Sequence, residues 1–171
     1  MMKREGEIEL GEDPGATVPD AGVVFIGRVR SPWTDRDDCP KNMAAARERG
    51  RPATIAIDER FHRGLEGLAG YSHAIVLTWL DRAPRNLIIQ KPRHAAAPRG
   101  VFALRSPARP NPVGVHVVRI VEVDAASGEI AIEAIDVLDA TPVIDVKPYF
   151  ASGDAIPAAQ GVSHPQAGPL E

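Results

Sequence analysis

The chain has 171 residues, 44% of them apolar, and 20 Lys and Arg against 23 Asp and Glu give a net charge of −3. That length suits one domain with a hydrophobic core and leaves no room for a second full one. The single cysteine, Cys39, excludes an internal disulfide, the apolar run over residues 74–80 falls far short of the ~20 residues that span a bilayer, and no basic-then-apolar leader precedes the acidic start, so a cytoplasmic protein without a membrane segment is expected.

Residues 1–21 carry Glu5, Glu7, Glu9, Glu12, Asp13 and Asp20 without an apolar period, and read as a flexible acidic leader. The folded domain is expected over residues 22–150. It opens on the strand-like VVFIGRVR at Val23. NMAAARERG then predicts a helix with Asn42 as N-cap and Gly50 as stop. TIAI at Thr54 reads as a strand, DERFHRGLEGL as a short helical segment, and GYSHAIVL leads into a strand from Ala74. VFAL at Val101 reads as a further short strand. VHVVRIVEVD and GEIAIEAIDV, joined by AAS and a glycine, alternate as a hairpin does. PVIDV at Pro142 supplies the last strand, and residues 151–171, rich in Ala, Gly and Pro, read as a flexible tail. Short strands without long intervening helices predict a mainly β fold, a small, mostly antiparallel β-barrel with a few short helices. No Gly-x-Gly-x-x-Gly turn follows a strand, which argues against a nucleotide-binding Rossmann unit.

Charge is unevenly distributed. Residues 82–119 contain eight cations (Arg82, Arg85, Lys91, Arg93, Arg99, Arg105, Arg109 and Arg119) and no acid, leaving 12 cations and 23 acids, net −11, elsewhere. Such a segment either meets a phosphate-bearing partner or faces acids across the fold. Within it, residues 100–116 (GVFALRSPARPNPVGVH) carry Pro107, Pro110 and Pro112, each fixing φ near −65° and removing a donor. The segment is either a preorganised binding loop presenting Arg105, Ser106, Arg109 and Asn111 or a rigid turn between strands. In IDVLDATPVIDV, Asp136, Asp139 and Asp145 lie among apolar residues and need partners, from a ligand's donors or from arginines. His73 is either a ligand-facing donor or an ordinary strand end. The five histidines and Cys39 show no metal-ligand spacing and no nucleophile pair, so neither a metal nor covalent catalysis is expected.

Taken in order, VRSPW, DCPKN, GLEGLAGYSHAIVL, GVFALRSPARPNPVG and LDATPVIDVKPY resemble the signatures of the TrmO family, also called TsaA-like or YaeB-like proteins, over nearly all of residues 24–149. The resemblance implies an S-adenosyl-L-methionine-dependent methyltransferase built on a barrel, working as a homodimer, that methylates N6 of threonylcarbamoyladenosine beside the anticodon of a tRNA. Carried onto matching positions, the family's cofactor contacts fall on Pro40, Lys41 and Asn42, on Ser72 and His73, on Arg105, on Val115, and on Leu138, Asp139, Ala140 and Thr141. Arg109 and Asn111 are expected beside the substrate base. Family members commonly read Pro-Arg-Gln at Pro40-Lys41-Asn42, Leu-Ser at Val115-His116 and Asp-Gly-Thr-Pro at Asp139-Ala140-Thr141-Pro142. The alanine matters if that position needs φ > 0, which Gly adopts freely and Ala does not. Longer members carry a further C-terminal domain where this chain has its Pro and Ala tail. His73, Asp136 and Asp139 are candidates to take a proton from the acceptor nitrogen. Two other readings remain open: a methyltransferase acting on a small metabolite, and a non-catalytic cofactor-binding barrel.

Overall fold

Side chains that alternate between inside and outside are what let a sheet curl closed around its own core. The computed structural model describes residues 4–92 and 95–161 of the chain. Arg93 and the last ten residues of the expected tail lie outside the described residues. In chain order the elements are β1 (Ile8–Glu9), β2 (Gly27–Arg30), α1 (Met43–Arg49), β3 (Ala53–Ile57), β4 (His73–Trp79), β5 (Leu87–Gln90), β6 (Arg99–Gly100), β7 (Val113–Asp124), β8 (Glu129–Ile132), β9 (Pro142–Pro148) and α2 (Ala151–Asp154). Short 3-10 helices occupy Glu59–Leu65, Leu68–Gly70 and Val101–Ala103.

Six strands close a barrel in the order β2-β3-β8-β7-β4-β9, with antiparallel pairing at every seam. The mainly β barrel expected from the sequence is what forms. Val29, Ile55, Val76, Val118, Ile130, Ile132 and Val143 fill its interior and are fully buried. The hairpin of β7 and β8 turns at Gly128, whose φ of 76° favours glycine. Asp124 caps that turn: Ser127 Oγ, Ser127 N and Ala126 N donate to its carboxylate and hold its pKa below the ordinary value. α1 follows its caps, with Asn42 Oδ1 accepting from Ala45 N at 2.9 Å and Gly50 in the left-handed region.

Several features differ from expectation, among them the short helix α2 within the stretch 151–171 expected as a tail and the strand β5, which was not expected. VFAL at Val101 is a 3-10 turn rather than a strand, because no neighbouring strand pairs with it and its alternation is too short to bury a face. Within residues 1–21, β1 pairs with β5, and β6 completes a small three-stranded sheet beside the barrel. Glu7, buried, accepts from Arg4 N at 2.9 Å and from Lys91 N at 3.1 Å, so this part of the leader docks through a satisfied carboxylate instead of an apolar face.

Candidate functional site

The loop over residues 138–141 joins residues 133–137, where Ala134, Ile135 and Val137 are buried, to β9. It is tied down by backbone: Asp139 N donates to Trp33 O, Ala140 N to Val29 O, and Val29 N to Thr141 O. Thr141 Oγ1 donates to Leu138 O at 2.7 Å, and Asp139 Oδ1 accepts from Ser31 N at 3.0 Å. Two arginines finish the frame, Arg28 donating to Ala140 O at 2.9 Å and Arg82 reaching Asp139 O at 3.5 Å. A groove of about 400 Å³ opens here, lined in part by Arg28, Arg30, Asp139 and Ala140, within the usual range of ligand clefts. Ala140 has φ 63° and is the only non-glycine with positive φ among the described residues. The conformation that glycine adopts freely is therefore kept here with alanine, at a cost of about 1 kcal/mol. Ala140→Gly should raise thermal stability by about that amount, read as a melting temperature a few degrees higher in a calorimetric scan; a lower one would contradict the strain.

The proline-rich stretch sits beside the same end of the barrel. Its prolines remove amide donors, and Arg109 replaces them: Nε donates to Ser106 O at 2.9 Å, and Nη2 to Val101 O at 2.9 Å and to Leu104 O. Asn111 Oδ1 accepts from Arg85 Nη2 at 3.3 Å, while Arg85 Nε donates to Pro110 O and its guanidinium lies 5.3 Å over the Trp79 ring. Arg105 is exposed, and its Nη2 donates to Val115 O at 3.2 Å, so these two expected cofactor contacts are neighbours. Of the cations in residues 82–119, Arg119 pairs with a carboxylate, Glu133, whereas Arg82, Arg85, Arg105 and Arg109 turn to carbonyl oxygens. Glu133 would rise through burial, but hydrogen bonds from Arg47 and Arg119 reverse this and hold it low.

Asp136 and Asp145 do not meet arginines. Asp145 pairs with Lys147 at 2.6 Å. Asp136 Oδ1 lies 2.7 Å from His116 Nδ1, and His116 Nε2 lies 3.0 Å from Thr78 Oγ1. In the sequence His116 stands out only as a departure from the family pattern; its partners lie 20 and 38 residues away, and no local period announces them. Cys39 is half-buried, and burial together with the Asp136 charge pushes its thiol up to about 11 against the smaller opposing effect of Arg49. It is a thiol, not a thiolate, near neutral pH.

Pro40 is buried and Lys41 exposed where the chain enters α1, and Asn42 spends its carbonyl oxygen on the helix cap. Ser72 and His73, hydrogen-bonded to each other at 2.9 Å, open β4. His73 pairs with Arg119, whereas Thr78, ~17 Å further along the strand at about 3.3 Å per residue, neighbours Gly114 and Val143. Ser72 and His73 thus lie at the opposite end of β4 from residues 138–141. The outer face between them is apolar, with Ile75 opposite Val117, Leu77 opposite Val115 and Trp79 opposite Val113. Val113 and Val115 are exposed there. Among the described residues no helix is long and apolar enough to cross a membrane, and no three His, Cys, Asp or Glu residues are grouped to hold a metal ion.

Residues 28–155 match the family described as tRNA-methyltransferase O N-terminal domain. A probable S-adenosyl-L-methionine-binding protein of Methanothermobacter thermautotrophicus is 41% identical over 132 residues, covering 77% of this chain and 91% of that protein. The tRNA (adenine(37)-N6)-methyltransferase of Escherichia coli is 28% identical over 150 residues, 84% of this chain and 63% of its own length. The crystal structure of TrmO from Pseudomonas aeruginosa superposes with a TM-score of 0.67 at 30% identity, over 86% of this chain and 64% of that one. The chain therefore spans somewhat under two thirds of these last two proteins.

Proposed function

The chain belongs to the tRNA-methyltransferase O N-terminal-domain family, and from that premise we propose that it binds S-adenosyl-L-methionine and methylates N6 of threonylcarbamoyladenosine beside the anticodon of a tRNA, in the cytoplasm. The observation that carries this reading is the framed loop 138–141 with the groove that opens beside it, where the sequence resemblance places cofactor contacts; the exposed Arg105, bonded to Val115 O, is a second candidate contact. The donor set suits the cofactor. A guanidinium with donors beyond the one given to Val115 can hold its carboxylate, and Asp139, with one oxygen held by Ser31 N, can accept from a ribose hydroxyl or an amino group with the other. When bound, S-adenosyl-L-methionine supplies an electrophilic methyl group. The protein's part is alignment, which removes about 7 to 11 kcal/mol of barrier in favourable intramolecular cases. Asp136 is occupied by His116, leaving Asp139 and His73 as the groups able to take the proton released from the acceptor nitrogen.

Arginines that satisfy carbonyl oxygens keep their charge, so the segment over residues 82–119 remains positive. This favours an RNA acceptor over a small metabolite. Incubation with methyl-labelled S-adenosyl-L-methionine and bulk tRNA tests the reading: label that becomes soluble on ribonuclease treatment supports it, and no label from protein that binds the cofactor overturns the RNA assignment.

A homodimer joins the separated halves of the site. The apolar outer face of β4 and β7 carries His73 at one end and the Trp79 and Val113 pair at the other, so a second copy packed on it in the reverse direction brings Ser72 and His73 of one protomer toward residues 138–141 of its partner. The protein should sediment at twice its 18.3 kDa chain mass. Leu77→Glu should yield a folded monomer whose cofactor affinity is at least about tenfold weaker, the penalty of about 1.4 kcal/mol that a half-built site implies. A monomer that binds as tightly as the parent would contradict the shared site.

A further inference from the structure

The interior of a barrel built from Val and Ile holds one polar chain: Thr78 on β4, His116 on β7 and Asp136 on the segment leading to residues 138–141. Thr78 is wholly buried and His116 is 5% exposed, so no substrate atom reaches either. Space for the ring is made by Gly114, where an added Cβ would sit 2.3 Å from Thr78 Oγ1 and 2.5 Å from His116 Nε2. With Asp136 ionised, Nδ1 carries the proton and donates at 2.7 Å, which leaves Nε2 to accept the Thr78 hydroxyl. A buried polar chain of this kind is costly unless every member is satisfied, and here each is.

What this chain holds is the approach to the cofactor loop. Asp136 stands two residues before Leu138. On either side of it Trp33 Nε1 donates to Ile135 O at 2.8 Å and Ser31 Oγ to Val137 O at 2.8 Å. The segment is thus pinned from outside by residues 31–33 and from inside by His116. Its continuation is the loop whose Asp139 and Ala140 amides donate to Trp33 O and Val29 O. Ala140 is held there with φ 63°, a conformation that the loop keeps only while both ends are fixed.

We propose that His116 is a positioning residue: through Asp136 it sets the register of residues 138–141 against the barrel, and so sets the affinity for S-adenosyl-L-methionine. The proposal rests on the cofactor assignment above, and the test separates the two. In His116→Asn the side-chain amide nitrogen stands where Nδ1 stands and keeps the Asp136 bond; in His116→Gln it stands nearer Nε2 and loses it. Calorimetric titration with S-adenosyl-L-methionine and amide hydrogen exchange of the unliganded protein are read on both variants, each checked for native circular dichroism. The Asn variant should bind within about threefold of the parent. The Gln variant should bind at least about tenfold more weakly, with exchange at the Asp139 and Ala140 amides accelerated at least about tenfold while β7 and β8 stay protected. A role in general stability alone would lower both melting temperatures and accelerate the whole barrel together. A folded Gln variant with parental affinity and parental exchange, or an Asn variant as weak as Gln, overturns the proposal. If the Gln variant does not fold, Asp136→Ala, which removes the acceptor of the Nδ1 bond, is read by the same two measurements against the same limits. Accelerated exchange at 139 and 140 in a series whose parent does not bind the cofactor supports the clamp and overturns the cofactor assignment instead.

Discussion

Alanine at Gly27 should destabilise the protein by about 3 kcal/mol or more, beyond the usual cost of overpacking, because the obstacle is backbone that cannot rotate away. An added Cβ would lie 2.1 Å from Ala56 O and 2.9 Å from Ile57 Cα on the paired strand. β2 and β3 would have to part, and β2 is also the strand that closes the barrel onto β9 through Gly27 and Arg28. Arg28 and Val29 hold the loop at Ala140 and Thr141 as well, so the change should reach the site. At about 2 to 4 °C per kcal/mol for a chain of this size, thermal unfolding should come on the order of 10 °C earlier. A parental melting temperature would show that the two strands are not packed this closely.

The largest functional effect is expected at Arg105. Its guanidinium lies at the surface with one nitrogen on Val115 O, and removal deletes the cation that the proposed site assigns to the cofactor's carboxylate. A charge-assisted hydrogen bond contributes about 1.5 to 3 kcal/mol, so Arg105→Ala should weaken S-adenosyl-L-methionine binding by about 10- to 100-fold in calorimetry. The fold should be intact, since the side chain is exposed. Arg105→Lys should recover part of the loss, as a point charge without the planar fork. Unchanged affinity in the alanine variant would remove Arg105 from the site.

What could be read from the sequence is what is encoded locally. The cap at Asn42, the stop at Gly50, the alternation of β4 and the hairpin of β7 and β8 depend on neighbours within a few residues, and each appears where expected. The φ > 0 requirement at Ala140 was visible as a possibility because alanine stands where glycine is usual, and the structure realises it. Arg109 shows the limit. Composition allows either a loop presenting Arg109 outward or a rigid turn, and only the fold shows that prolines strip the loop of donors and that Arg109 bonds the carbonyl oxygens of Val101, Leu104 and Ser106. The His116–Asp136 pair and the pairing of β1 with β5 were invisible for another reason: both join distant segments through polar contacts or two-residue ladders, which leave no periodic trace. Placing Ser72 and His73 away from residues 138–141 likewise follows from strand register, which only the folded barrel reveals.

The most direct test of the central claim is transfer of labelled methyl from S-adenosyl-L-methionine to two pools of tRNA lacking the endogenous methylation, one carrying threonylcarbamoyladenosine and one without the threonylcarbamoyl group, with the product nucleoside identified by mass spectrometry. Label is expected in the first pool alone, on N6 of the threonylcarbamoyladenosine, falling steeply with salt as phosphate contacts require. Absence of label from both pools, with protein that binds the cofactor, would contradict it.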